Sequence, residues 1–188
     1  MTVNIQLEWT PNPNTLKYVV DTSLIPRGAV NFTTRDVAIE KSPLANRLFD
    51  IKGVMAVMLG TNFVTVTKGD EGEWDELNDG VMLTLDQHLS AGDAVLSAAA
   101  LEALMAPTGP ATGTEMEQRI KEILDAEIRP AVAMDGGDIT LDRVENNIVY
   151  LHMQGSCAGC PSSTATLRMG IETRLKEAIP EIVEVVSV

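Results

Sequence analysis

Cysteine is nearly absent from this chain: two among 188 residues. That scarcity excludes a disulfide-stapled secreted scaffold and points to a reducing compartment, with the cytoplasm as the simplest expectation. The opening "MTVNIQLEWTPNPN" has neither the basic-then-apolar pattern of a signal peptide nor the Arg/Ser richness of a transit peptide. Long apolar runs are missing as well; no window approaches the roughly 18 residues of a membrane span, so no membrane partner is expected. Aromatic side chains make up only 4%, which leaves aliphatics, alanine and nine methionines to build the cores, the methionines as filler. Basic residues are outnumbered 14 to 27, giving a net charge of −13. The excess is spread evenly over both halves, so a nucleic-acid partner is excluded by repulsion and the charge serves solubility. Phosphate-loop, H-E-x-x-H and G-x-S-x-G signatures are also lacking.

What is present reads as an α+β protein of two small domains: residues 1–90, a mixed sheet with two helices; a linker at 91–113; and residues 114–188, an α-β-β-α-β domain. "VNIQLEW" (3–9) alternates as a half-buried strand does, "TPNPN" is a turn, and "TLKYVVD" (15–21) is a second strand. Ser42 and Pro43 form the N-cap and first residue of a helix that stops at Gly53. "VMAVML" and "NFVTVTK" around "GTN" predict a hairpin, and residues 73–90 an amphipathic helix burying Trp74, Leu77, Val81, Leu85 and His88 or Leu89. The Ala-rich stretch from 91, ending in Pro, Gly and Thr, marks the boundary.

The second half starts with Thr114 and Glu117 in capping-box spacing. Met116, Ile120, Ile123, Leu124 and Ile128 then make an apolar stripe, with Pro130 expected to end the helix. A hairpin around "ENN" follows, then a helix over about 161–178 and a final strand. "MDGGD" (134–138) lacks the further acids of a calcium loop and the lysine of a phosphate loop, and is expected to be a turn.

Chemistry concentrates in "GSCAGCPSS" (155–163), which holds both Cys157 and Cys160. Flanking glycines let a tight loop present both sulfurs, and a helix starting behind Cys160 favours thiolates, so the pair is expected exposed and thiolate-prone. Inert core cysteines, a thiol oxidoreductase using a reversible disulfide, and a metal or cluster site all compete. The oxidoreductase fold needs more chain after its CxxC than the 28 residues found here. Cluster and zinc sites typically want four thiolates, or thiolates plus histidine. His88 falls in the other domain and His152 alternates within a strand. Without them, the missing sulfurs come from a second copy, and a two-fold homodimer would bring two CxxC loops around one shared cluster.

These residues carry a resemblance. "DGGDI…GSCAGCPSSTATLRMGIETRLKEAIPEIVEV" resembles the C-terminal NifU-like domain of the Nfu iron–sulfur cluster carriers. "TPNPNTLKYV", "SPLANRLFDIKGV" and "NFVTVTK" resemble their N-terminal domain. The resemblance implies a non-enzymatic carrier of a 4Fe–4S cluster, one per dimer, held by Cys157 and Cys160 of each protomer and passed to apo iron–sulfur proteins. An upstream assembly scaffold would be the donor. The first domain would recognise partners or add stability, without a ligand of its own. Full NifU scaffolds have a further cysteine-bearing domain for which this chain has no cysteines to spare, so carriage is favoured over primary assembly. A thiol oxidoreductase is the alternative and a zinc-bridged dimer the third reading.

Overall fold

A computed structural model describes residues 3–70, 72–106, 114–158 and 161–188, with the side chains of 161–164 left aside. The chain divides into two compact units, Met1–Ala106 and Pro107–Val188. The α+β class holds for both.

The first unit is built on five strands: β1 (Ile5–Trp9), β2 (Thr15–Val20), β3 (Val30–Phe32), β4 (Val54–Leu59) and β5 (Phe63–Lys68), in the order β1-β2-β5-β4-β3. Every pairing is antiparallel, so the sheet is not mixed as expected. The three-residue link between β4 and β5 explains their pairing, since it can only turn back on itself, whereas parallel strands need a long crossover. Four helices accompany it rather than two: α1 (Arg35–Lys41), α2 (Pro43–Phe49), α3 (Trp74–Ala91) and α4 (Ala98–Met105). Ser42 caps α2 by accepting from the Ala45 amide at 3.0 Å, with Pro43 first in the helix, as its local sequence dictates. The same hydroxyl donates to the Val95 carbonyl at 2.6 Å, tying the cap to the chain beyond α3. Leu77, Val81, Leu85 and His88 form the buried stripe of α3.

The Ala-rich stretch expected as linker is more than a spacer in its described part. Leu96 is buried in the first core, Ala100 and Leu104 pack against it, and Arg27 donates to the carbonyls of Leu104 and Ala106 at the end of α4. Small side chains let a short helix approach closely where an uncharged surface would gain nothing from solvent. Residues 107–113 lie outside the described residues.

The second unit begins with α5 (Glu115–Ile123), capped by the expected Thr114–Glu117 box. Pro130 does not end the helix. A π-helical turn, Leu124–Ile128, carries the chain into α6 (Arg129–Met134), with the Arg129 amide bonded five residues back to the Leu124 carbonyl. Pro130 thereby falls at the second position of α6, where a missing amide costs little. Strands β6 (Gly137–Glu145) and β7 (Ile148–Gly155) pair antiparallel through a turn in which Asn146 and Asn147 both take positive φ, 52° and 62°. Asparagine tolerates this conformation, which the tight hairpin requires. Helix α7 (Pro161–Ala178) then crosses over so that β8 (Glu184–Ser187) pairs parallel with β7. Ile171, Leu175, Ile179, Ile182 and Val185 close the core with Ile120, Leu124, Ile139 and Leu151.

The methionines are not uniformly core filler. Met58 and Met153 are buried, but Met55, Met105, Met134 and Met169 are more than half exposed. No helix among the described residues is long and apolar enough to cross a membrane.

Candidate functional site

The candidate site lies where β7 ends and β6 begins. Antiparallel register sets Gly155 opposite Gly137 and Gln154 opposite Asp138, bringing "GSC" against "MDGGD" from twenty residues earlier. "MDGGD" is indeed a turn, with Gly136 at φ +76°, but the turn has a task. Ser156 donates from its amide to the Gly136 carbonyl at 3.2 Å and from its hydroxyl to the Asp135 carbonyl at 2.5 Å. These two bonds stitch the cysteine loop to the turn. The Ala158 amide closes back on the Gly155 carbonyl at 3.1 Å.

Cys157 is therefore not exposed. It is 6% accessible and belongs to the second hydrophobic core. A Cβ on Gly137 would fall 2.2 Å from the Cys157 Sγ and 3.1 Å from Val132 Cγ1. Only a residue without a side chain leaves room for the sulfur at that point. Burial pushes the Cys157 thiol up to about 11; a hydrogen bond with Ser156 opposes the rise, and the Asp135 and Asp138 carboxylates add to it. The expected thiolate-prone sulfur is thus, at this position, a neutral thiol. The physical reason is burial: Cys157 sits among the aliphatic side chains of the second core, which disfavour the charged form. Cys160 lies outside the described residues.

Behind the turn, Asp138 is 4% exposed and held by a two-pronged bond from Arg129, Nε to Oδ1 at 2.8 Å and a terminal nitrogen to Oδ2 at 3.0 Å. The other terminal nitrogen bonds Asp125 at 2.8 Å. Paired carboxylates hold the Arg129 guanidinium well above its usual range. The fork fixes the start of β6, and with it Gly137, against the π-helical turn and α6.

Neither histidine joins the site. His152 is exposed on β7. His88 is fully buried in the first unit, between the Ala94 carbonyl at 3.0 Å and Arg47 at 3.2 Å, and burial lowers its pKa. Among the described residues, no three His, Cys, Asp or Glu side chains gather as a metal site. The roles of Gly137, Ser156, Arg129 and Asp138 were not legible in the sequence, although "DGGD" and "GSC" carry the resemblance. Their signal was the pair of glycines ahead of one strand and the glycine at the end of the next, which become neighbours only once the hairpin register is known.

Residues 5–92 match the family model described as "Scaffold protein Nfu/NifU N terminal", and residues 120–186 the model of the NifU-like domain. The human protein named "NFU1 iron-sulfur cluster scaffold homolog, mitochondrial" is 39% identical over 95% of this chain and 69% of its own length. "NifU-like protein 4, mitochondrial" of Arabidopsis thaliana is 37% identical over 96% of this chain and 64% of its own. The chain thus spans about two thirds of the length of these curated relatives. A solution structure of a NifU-like protein from Saccharomyces cerevisiae is 26% identical, with a TM-score of 0.47, covering 52% of this chain and 87% of that one. The cytoplasmic expectation is overturned by the relatives, which are named mitochondrial. Few cysteines indicate a reducing milieu, and that alone does not distinguish one reducing compartment from another. On the two domain matches and the human relative, the chain belongs to the Nfu family of iron–sulfur cluster scaffold proteins.

Proposed function

We propose that this protein is a carrier that holds a 4Fe–4S cluster between two protomers and surrenders it to apo-proteins. Cys157 and Cys160 of each chain would be the protein ligands, and the domains would be a partner-facing 1–90, a connection at 91–113 and the cluster-holding 114–188. The observation carrying this reading is that the only two cysteines of an Nfu-family chain stand three positions apart in the sequence that follows β7. Soft thiolates suit iron–sulfur cargo, and two per chain complete a set of four only in a pair. The names of the relatives point to mitochondria as the working compartment.

Loading begins with Cys157 leaving its place under Gly137, since a sulfur enclosed by the core reaches no iron. The thiol gives its proton to solvent as the iron–sulfur bond forms. In transfer, an acceptor thiol loses its proton and binds iron, and the displaced carrier thiolate takes a proton up and can return to the core. The return offsets part of the lost coordination and favours release. The role is carriage and not catalysis. A thiol oxidoreductase needs an exposed, nucleophilic sulfur, and the buried Cys157 thiol does not supply one.

Anaerobic reconstitution with ferrous iron and sulfide tests the reading. Roughly four irons and four sulfides per two chains are expected, with a dimeric mass. Cys157→Ser and Cys160→Ser should each abolish retention. A monomer that retains no iron and turns over disulfides would replace the carrier with the oxidoreductase.

A further inference from the structure

The first unit contains no cysteine, but it has a surface the carrier role leaves unused. β1 is the outer strand of its sheet, with no partner on its far side among the described residues. Open edges usually carry protection: extreme shortness, a proline, an inward lysine or a bulge. The opposite edge, β3, is blunted by being three residues long. β1 has five residues, "IQLEW", without lysine or proline, and its register against β2 runs unbroken from Ile5 to Trp9. It is an unguarded template for another strand.

A groove opens at its first residue, Ile5. Ile5, Leu7 and Trp9 pair with Val20, Tyr18 and Leu16, which are core residues, so all three face the helix-covered side of the sheet. The helices do not reach far enough to cover them: Leu7 is 38% and Trp9 74% exposed. Where α3 passes β1, Val3, Ile5, Met82 and Leu83 form an apolar lining, and Leu83 is 58% exposed. Asp79 and Asp86 stand on the same wall. Helix α3 carries Asp75, Glu76, Asp79 and Asp86 and not one Lys or Arg. An apolar floor, acidic wall and free strand edge define the complement: an extended segment whose floor-facing residues, every second one, include both apolar and basic side chains.

We propose that the groove between β1 and α3 binds an extended, basic segment of an acceptor protein as an added strand on β1. The backbone of the segment pairs with β1, its apolar side chains fill the floor between Ile5 and Leu83, and its cations meet Asp79 and Asp86. Main-chain bonds supply affinity and the side-chain pockets select the sequence. Describing the partner as an acceptor rests on the carrier reading above; the binding chemistry does not.

The test uses the full chain and, as probe, an eight-residue capped peptide, Val-Thr-Lys-Thr-Val-Thr-Lys-Thr, which puts Val and Lys on one face (the Lys–Val peptide), with Glu in place of Lys as control (the Glu–Val peptide). Calorimetry gives the affinity, and amide hydrogen exchange locates the contact. The Lys–Val peptide should bind and slow exchange at alternate residues of β1, and the Glu–Val peptide should not bind. D79N/D86N should weaken binding about fivefold, while D36N/E40Q, which removes the same charge from exposed α1, should change it less than twofold. Binding without protection in β1, or equal loss in the two variants, would reduce the effect to diffuse charge and overturn the proposal. Protection of β1 before peptide is added, rising with protein concentration, would give the edge to a second copy instead. Iron uptake separates the two readings: peptide binding with no iron retained defeats the carrier alone, and normal iron with no peptide binding defeats the groove alone.

Discussion

The two units solve the same packing problem with different stakes. The first surrounds a five-stranded sheet with four helices, and its core is aliphatic apart from Tyr18 and Phe32. Two of its buried polar side chains, Ser42 and His88, are tied to carbonyls beyond the helices that carry or follow them. The second has three strands and places a cysteine among its core residues. If Cys157 is a cluster ligand, as proposed, that core cannot be optimised for stability alone, because the sulfur has to leave it. The larger unit provides inert stability and an exposed edge, whereas the smaller one couples its packing to its chemistry.

Removing the fork behind the site gives the largest expected effect. Arg129→Met leaves the Asp138 carboxylate buried without its partner and should destabilise the second unit by about 3–5 kcal/mol. Exchange of β7 amides reports that unit. Tryptophan fluorescence reports the first, since Trp9 and Trp74 are the only tryptophans. The fluorescence transition should stay in place; if it moves as well, the units are coupled and the contrast fails.

Leu85→Ala is the converse experiment. Leu85 is fully buried in α3, and its truncation should cost the first unit about 2–5 kcal/mol in denaturant, read by fluorescence. Iron retained after reconstitution should be unchanged, because Cys157 belongs to the second core.

Gly137→Ala addresses the seat directly. The new methyl occupies the place of the Cys157 sulfur and should cost about 1–3 kcal/mol. Its more telling effect is on reactivity. In the iron-free Cys160→Ser background, alkylation of Cys157 should climb only as pH approaches about 11, and in Gly137→Ala the climb should return toward about 9. A raised thiol pKa also means that the stability it contributes is present below about pH 9 and disappears between about 9 and 11. An unchanged alkylation profile in Gly137→Ala would show that the sulfur is not held where the glycine opens room.

The smallest effect belongs to His88. Burial keeps its pKa below the ordinary 6.5, so the folded first unit prefers the neutral ring. Its contribution is intact above about pH 6.5 and is lost as pH falls toward the lowered value. The fluorescence midpoint should therefore drop from about pH 7 to 5.5, and His88→Gln should drop less over the same interval.

Elements governed by neighbours in sequence were legible. Ser42 and Pro43, Thr114 and Glu117, and the Asn146–Asn147 turn each satisfy a local backbone need, and each appears where the residues placed it. The α3 stripe was legible for the same reason, as periodicity is local. Pro130 was misread because the sequence shows a missing amide but not the π-helical turn that accommodates it. The cysteine loop could be located but not its interior half. Whether Cys157 faces water or core depends on Gly137 arriving across the hairpin, and no spacing within "GSCAGC" encodes that approach. The parallel pairing of β8 and the docking of α4 are likewise long-range results.

The parallel pairing of β7 and β8 has a consequence during synthesis. All strands of the first unit are available once residue 68 has left the ribosome, and all of its helices after residue 105. The second core, by contrast, lacks Ile179, Ile182 and Val185 until its last strand emerges. Throughout that interval the cysteine loop has been made but its enclosure has not, so the nascent chain passes through a stage in which Cys157 is open to oxidants and stray metal. Folding to the last strand is what turns a vulnerable thiol into a guarded one.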